Sequence, residues 1–278
     1  MPTTGTQSVE PLRHWREYAI EAALLGIFMI SAGLATTMLD FAGSPLNGLV
    51  GSPWLRRLLI GLAMGGTAMV LIYSRWGARS GAHFNPAVTI TFALLGKIAW
   101  RDAACYIAAQ FAGGITGVLL IRALLGQAFA RPPVLYVVTV PGPDGIGPAF
   151  WMEALISFLL MSVTLIVSGR PKWMRYTGLC CGVLIASFVT FEAPFSGMSM
   201  NPARTVASAA PSGIWTDAWI YFVAPVGGMV MAGLAFRLVS GQPVQCAKLN
   251  HDTGAPCPFL CGFRTRGVHV PDLIRKRL

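Results

Sequence analysis

Charge is what this chain has least of. Only 12% of its 278 residues are Asp, Glu, Lys or Arg, with 11 acids against 21 bases. An ordinary soluble domain carries about 25% charged residues, so a water-facing globule is excluded. Histidine is as sparse, at four in the whole chain, and the six cysteines show no secreted disulfide framework. Residues 1–20 lack the short apolar core and small-residue cleavage site of a removable leader, which leaves the first apolar run as the insertion signal.

What the chain has instead is apolar length. Hydrophobic residues make up 54% of it, with a mean hydropathy of +0.61. A hydrocarbon core of roughly 30 Å takes about 20 residues of helix. Six such spans are expected at 18–40, 54–73, 103–125, 149–168, 176–191 and 217–239, with a short strand at 134–140 in the longest connection. The formal charge of +10 would suit nucleic acid, but its distribution argues for no nucleic-acid partner. Sixteen of the 21 Lys and Arg fall in alternate connections and the two ends, and five on the other side. The positive-inside rule then places both termini in the cytoplasm of a multi-pass protein of the plasma (inner) membrane.

Two stretches are nearly the same stretch written twice. Ser80-Gly-Ala-His-Phe-Asn85-Pro86-Ala87-Val-Thr-Ile90 and Ser196-Gly-Met-Ser-Met-Asn201-Pro202-Ala203-Arg-Thr-Val206 agree at six of eleven positions. Asn is costly in lipid and Pro breaks or starts a helix. Proline fits the first helical position, where its missing N–H would have no partner, and Asn caps the helix it opens. Each motif therefore starts a short helix, to about 95 and 210, facing a water-filled path rather than lipid. Glu21-Ala-Ala-Leu-Leu and Glu153-Ala-Leu-Ile-Ser open the two halves in the same way. Three spans per half is an odd number, so the second half is inserted upside down, and inverted repeats with broken helices are a transport architecture. The expected fold is an all-α membrane protein of six transmembrane helices plus two re-entrant half-helices. Its units are an arm at 1–17, a first repeat at 18–125, an outer loop at 126–148, a second repeat at 149–239 and a tail at 240–278.

These motifs, the paired glutamates and the six spans resemble the aquaporin family of membrane channels, the major intrinsic proteins, over about residues 16–239. The resemblance implies a passive channel for water and small uncharged solutes (glycerol-, urea- or metalloid-acid-like) that excludes protons and ions. It also implies a homotetramer, with no catalysis and no required cofactor. Asn85 and Asn201 would meet at mid-membrane and donate to a passing oxygen. The carbonyls of Gly81, Ala82 and His83 and of Gly197, Met198 and Ser199 would form an acceptor rail, with His83 also anchoring its loop. Arg204 would supply charge at the outer constriction. By spacing, the other constriction positions map to Gly65, Val189 and Met198. Water-selective members usually carry Phe and His at the first two, so a wider, more apolar aperture is implied. Against a glycerol channel, Thr205 and Ala209 stand where those members place an Asp and a base, and Tyr221 and Phe222 supply aromatics as water channels do. Glu21 and Glu153 would accept from the loop backbones.

The tail carries Cys246, His251, Cys257 and Cys261, a set that could hold a structural zinc, though its spacing is looser than the paired Cys-x2-Cys form. Free thiols in a reducing cytoplasm are the other reading. The run Arg275-Lys276-Arg277 reads as a basic strip for membrane lipid headgroups. Two alternatives remain in view. One is a coupled secondary transporter, disfavoured because the spans hold few ionisable groups; the other is a metal- or redox-sensing membrane protein acting through its tail.

Overall fold

Side chains cap the starts of the helices that begin at Pro53, Pro86 and Pro202. The Ser52 hydroxyl accepts from Leu55 N just before Pro53, and the helix that follows runs without interruption to Tyr73. The computed structural model describes residues 14–240, 243–251 and 257–265. Its eight principal helices are α1 (Trp15–Asp40), α2 (Pro53–Tyr73), α3 (Pro86–Leu94), α4 (Trp100–Leu125), α5 (Ile146–Ser168), α6 (Thr177–Phe191), α7 (Pro202–Ser212) and α8 (Ile220–Ser240). Six are long and apolar enough to cross a membrane, while α3 and α7 have 9 and 11 residues. At 1.5 Å per residue, α3 and α7 end to end span about 30 Å, one membrane thickness.

All eight tryptophans are exposed and lie at or near helix ends. Trp15, Trp76, Trp100 and Trp173 lie toward the end where α1 begins, and Trp54, Trp151, Trp215 and Trp219 toward the other. Amphipathic indoles at two levels, with exposed Val70, Leu119, Leu120 and Leu238 on the outer faces, mark an integral multi-pass protein.

The long helices pair as α1 with α4, α2 with α6 and α5 with α8. Each pair closes on glycine. A Cβ at Gly113 would stand 2.0 Å from the Ala22 carbonyl, one at Gly65 2.2 Å from that of Gly182, and one at Gly228 2.2 Å from that of Ala154. These small-residue faces therefore serve packing within the chain. The half-helices exchange partners: α3 packs on α8 and α7 on α4, so each lies against the last span of the opposite repeat.

No strand occurs among the described residues, and 134–140 departs from expectation. Leu135, Tyr136 and Val137 instead form a left-handed turn with φ of 43, 57 and 51°. No strand pairs with the segment, so its amides are satisfied locally: Val134 N and Leu135 N donate to Arg131 O, and Val137 N to Val134 O. The arm's first residues and the basic run at 275–277 lie outside the described residues.

Candidate functional site

The loops before the two Asn-Pro-Ala motifs adopt backbone that needs outside support. The first turns left-handed at Gly81, Ala82 and Phe84, the second at Gly197, Met198 and Met200. Such a conformation costs about 1–2 kcal/mol for each non-glycine residue. A buried carboxylate stabilises each loop. Glu21 accepts from Ser80 Oγ (2.7 Å) and His83 N (3.1 Å) on one oxygen, and from Phe84 N (2.6 Å) and Gln110 Nε2 (2.9 Å) on the other. Glu153 accepts from Ser196 Oγ (2.8 Å), Ser199 N (2.6 Å) and Met200 N (2.7 Å). Tyr106 and Tyr221 repeat the symmetry, donating to Ser80 O at 2.7 Å and Ser196 O at 2.6 Å. Glu192, which sequence reading did not single out, shares the Ser196 hydroxyl with Glu153.

The asparagines join the two halves. Asn85 Oδ1 caps α3 by accepting from Ala87 N at 2.8 Å, and Asn201 Oδ1 caps α7 by accepting from Ala203 N at 3.0 Å and Arg204 N at 3.2 Å. Their amide nitrogens cross: Asn85 Nδ2 donates to Met200 O (2.7 Å) and Asn201 Nδ2 to Phe84 O (2.8 Å). Each amide carries two N–H groups, so one remains for a solute. Both asparagines line a cavity of 380 Å³ that runs from Asp40 and Arg57 at one end to His83 and Leu249 at the other. The positive ends of the α3 and α7 dipoles meet at the asparagines.

Arg204 also lines this cavity, and its Nη1 donates to Val137 O at 2.6 Å. The left-handed turn at 135–137 delivers that carbonyl, a contact invisible in the sequence because a carbonyl carries no side-chain signature.

The remaining predicted residues divide. Val189, Met198, His83, Gly197 and Ser199 are on the cavity wall. Gly65 is not: it is packed on Gly182, and Ile60 and Met64 hold the wall of α2. The chain turns a corner at Ser74, which ends α2 and caps the short helix Arg75–Ser80. Gly65 and Met64 are adjacent, and one residue is about 100° of helix rotation, so the two side chains face different neighbours. Gly81 and Ala82 are also off the wall; the tail covers Gly81, whose O accepts from Leu249 N at 3.1 Å.

The chain matches the family described as Major intrinsic protein over residues 8–236. This chain belongs to the major intrinsic proteins. Aquaporin NIP1-3 of Oryza sativa subsp. japonica is 37% identical over 223 residues, covering 78% of this chain and 72% of that one. Aquaporin NIP2-2 of Zea mays is 33% identical over 230 residues, covering 81% and 75%. The match to a NIP4-1 relative from Arabidopsis thaliana, 39% identical over 175 residues, spans only 59% of that relative's length. The solved aquaglyceroporin from Plasmodium falciparum shares the fold, with a TM-score of 0.67 at 22% identity over 81% of this chain and 96% of that one. Major intrinsic proteins are passive channels for water and small solutes; they are not enzymes and conduct without a cofactor.

This major intrinsic protein adds a folded tail beyond its last span. Cys246, His251, Cys257 and Cys261 converge there, with their ligand atoms all within 4.8 Å of one another. Hydrogen bonding to Cys257 and Cys261, and then burial, holds the Cys246 thiol well above its ordinary value. His251 is raised to about 9; burial works downward, but hydrogen bonds to Cys257 and Cys261 together outweigh it.

Proposed function

We propose that this channel conducts water together with small uncharged solutes of the glycerol, urea or metalloid-acid kind, and excludes protons and ions. The supporting observation is the cavity wall, where the donors of Asn85, Asn201 and Arg204 stand beside apolar Val189, Met198 and Met64. A neutral solute that sheds water regains hydrogen bonds from the donors while its carbon skeleton lies on the apolar side. A cation sheds water and meets Arg204 and two positive helix ends instead. The same field orients single-file water in opposite directions from the centre, which interrupts a proton wire. Met64 in place of a glycine narrows the aperture, yet two unbranched methionines are adaptable walls.

The same reading places the protein in the plasma membrane as a homotetramer, with the termini and tail cytoplasmic and units at 18–125 and 149–239 as the two repeats. Stopped-flow scattering on proteoliposomes holding the full chain tests the channel. Water and at least one of glycerol, urea or boric acid should cross faster than in protein-free vesicles, with no proton current. Water-only conduction overturns the solute assignment, and solute accumulation driven by a pH gradient overturns passive transport.

A further inference from the structure

The cavity ends on the chain's own tail. Leu249 closes its wall beside Ile72 and His83, at the end where α1 begins. Leu249 N occupies the Gly81 carbonyl, and Ala247 O is 2.8 Å from His83 Nε2. The Phe259 ring stacks on the His83 imidazole, centroids 5.4 Å apart and planes 2° from parallel. A Cβ on Gly81 would stand 2.6 Å from that ring, so only glycine permits the approach. Leu260 N donates to Lys97 O at 3.0 Å on the neighbouring corner. Gly81 O, His83 Nε2 and Lys97 O at this mouth thus have partners in Leu249, Ala247 and Leu260 of the tail.

Little regular structure holds the tail in this shape. Its only helix among the described residues is the four-residue Gly262–Thr265. Its two pieces meet through one backbone bond, Gly262 N to Gln245 O at 2.7 Å, the His251–Phe263 ring contact and the Cys/His cluster, with Cys246 Sγ 3.4 Å from Cys257 Sγ and His251 Nε2 3.1 Å from Cys261 Sγ. None of these cysteines is in a disulfide. A tetrahedral zinc ion with Zn–S bonds of about 2.3 Å sets neighbouring sulfurs about 3.8 Å apart, within the 4.8 Å that bounds all four ligand atoms. Three thiols and an imidazole form a closed structural donor set, and the absence of carboxylates from it disfavours hard cations such as calcium and magnesium. Leu249 lies between Cys246 and His251, so fixing those two ligands fixes the residue at the cavity end.

We propose that Cys246, His251, Cys257 and Cys261 bind Zn²⁺, and that this ion holds the tail as a plug in the channel mouth, so that metal loss opens the pore. The gate rests on the channel reading above, whereas the metal site stands apart from it. Metal binding and conduction belong to different readouts, and both can be made on the full chain. Elemental analysis of the purified protein should give one zinc per chain, and none in the double variant Cys257→Ser, Cys261→Ser. In proteoliposomes, a membrane-permeant zinc chelator should raise water and glycerol flux at least about tenfold, the release expected from a plug closed more than about 90% of the time. Added Zn²⁺ should reverse it, and the double variant should be open without chelator. Zinc at background level in the wild-type chain overturns the site. Bound zinc whose removal leaves flux unchanged overturns the gate. No flux in either state overturns the channel reading and the gate with it, while the zinc content still decides the site. If the double variant does not fold, chelation and re-addition on the wild-type chain decide the gate.

Discussion

Three neighbouring residues on α2 separate packing from pore lining. An alanine Cβ at Gly65 would stand 2.2 Å from the Gly182 carbonyl and 2.9 Å from Ala186 Cβ. Relaxed contacts begin at about 3.5 Å, so α2 and α6 would have to part by about 1 Å, forfeiting a quarter to a half of the dispersion energy of the contacts that open. Overpacking of this kind costs about 3 kcal/mol where backbone is the obstacle. At roughly 2–4 °C per kcal/mol, Gly65→Ala should lower the apparent melting temperature by about 6–12 °C. Gly66→Ala is the control: nothing lies within 4 Å of its Cβ, and alanine gains about 0.5–1 kcal/mol in a helix interior. Met64→Ala, on the cavity wall, should raise the ratio of glycerol to water flux. The ratio is the right readout because it does not depend on how many channels are open. Thermal melts in detergent followed by stopped-flow flux measure both. The reasoning fails if Gly65→Ala melts like wild type and changes the flux ratio while Met64→Ala changes nothing.

Three further outcomes follow from contacts already described. Glu153→Gln leaves one acceptor oxygen where two served three donors; at about 1.5–3 kcal/mol per charged hydrogen bond, the melting temperature should fall and conduction with it, and a wild-type melt would show that the loop does not depend on the carboxylate. Asn201→Ala removes the α7 cap, worth about 1 kcal/mol, together with the donor to Phe84 O, so water flux should drop more than stability does; unchanged flux would place the conduction path elsewhere. Phe259→Ala removes the stack on His83 without touching a cysteine or His251, and should raise flux with zinc content unchanged; flux equal to wild type would count against the tail as an obstruction.

The six spans were legible because a hydrocarbon core imposes length and composition together, and their ends fall within a few residues of expectation. The half-helices were legible because Asn followed by Pro in an apolar setting has few uses other than a cap. Met64 was not legible for a geometric reason: adjacent helix residues face about 100° apart, and a spacing alone does not say which of Met64 and Gly65 turns toward the cavity. Val134-Leu-Tyr-Val-Val has the β-branched and aromatic content of a strand, yet it pairs with no strand and closes on its own Arg131 and Val134 carbonyls. The tail's ligands could be named from their chemistry. Its seat on the channel could not, because Leu249 and Phe259 are ordinary apolar residues whose partners lie more than 150 positions away in the chain.

The exchanged half-helices constrain the order in which this protein can be built. When the ribosome has delivered residues 1–125, α3 exists as sequence but α8, the span it packs on, does not. Asn85 Nδ2 then has no Met200 carbonyl to bond. Until residues 200–240 are present, the first loop has its Glu21 and Gln110 contacts but not its α8 packing. The pore-lining contacts of the first half are thus completed only by residues that the last third of the chain supplies.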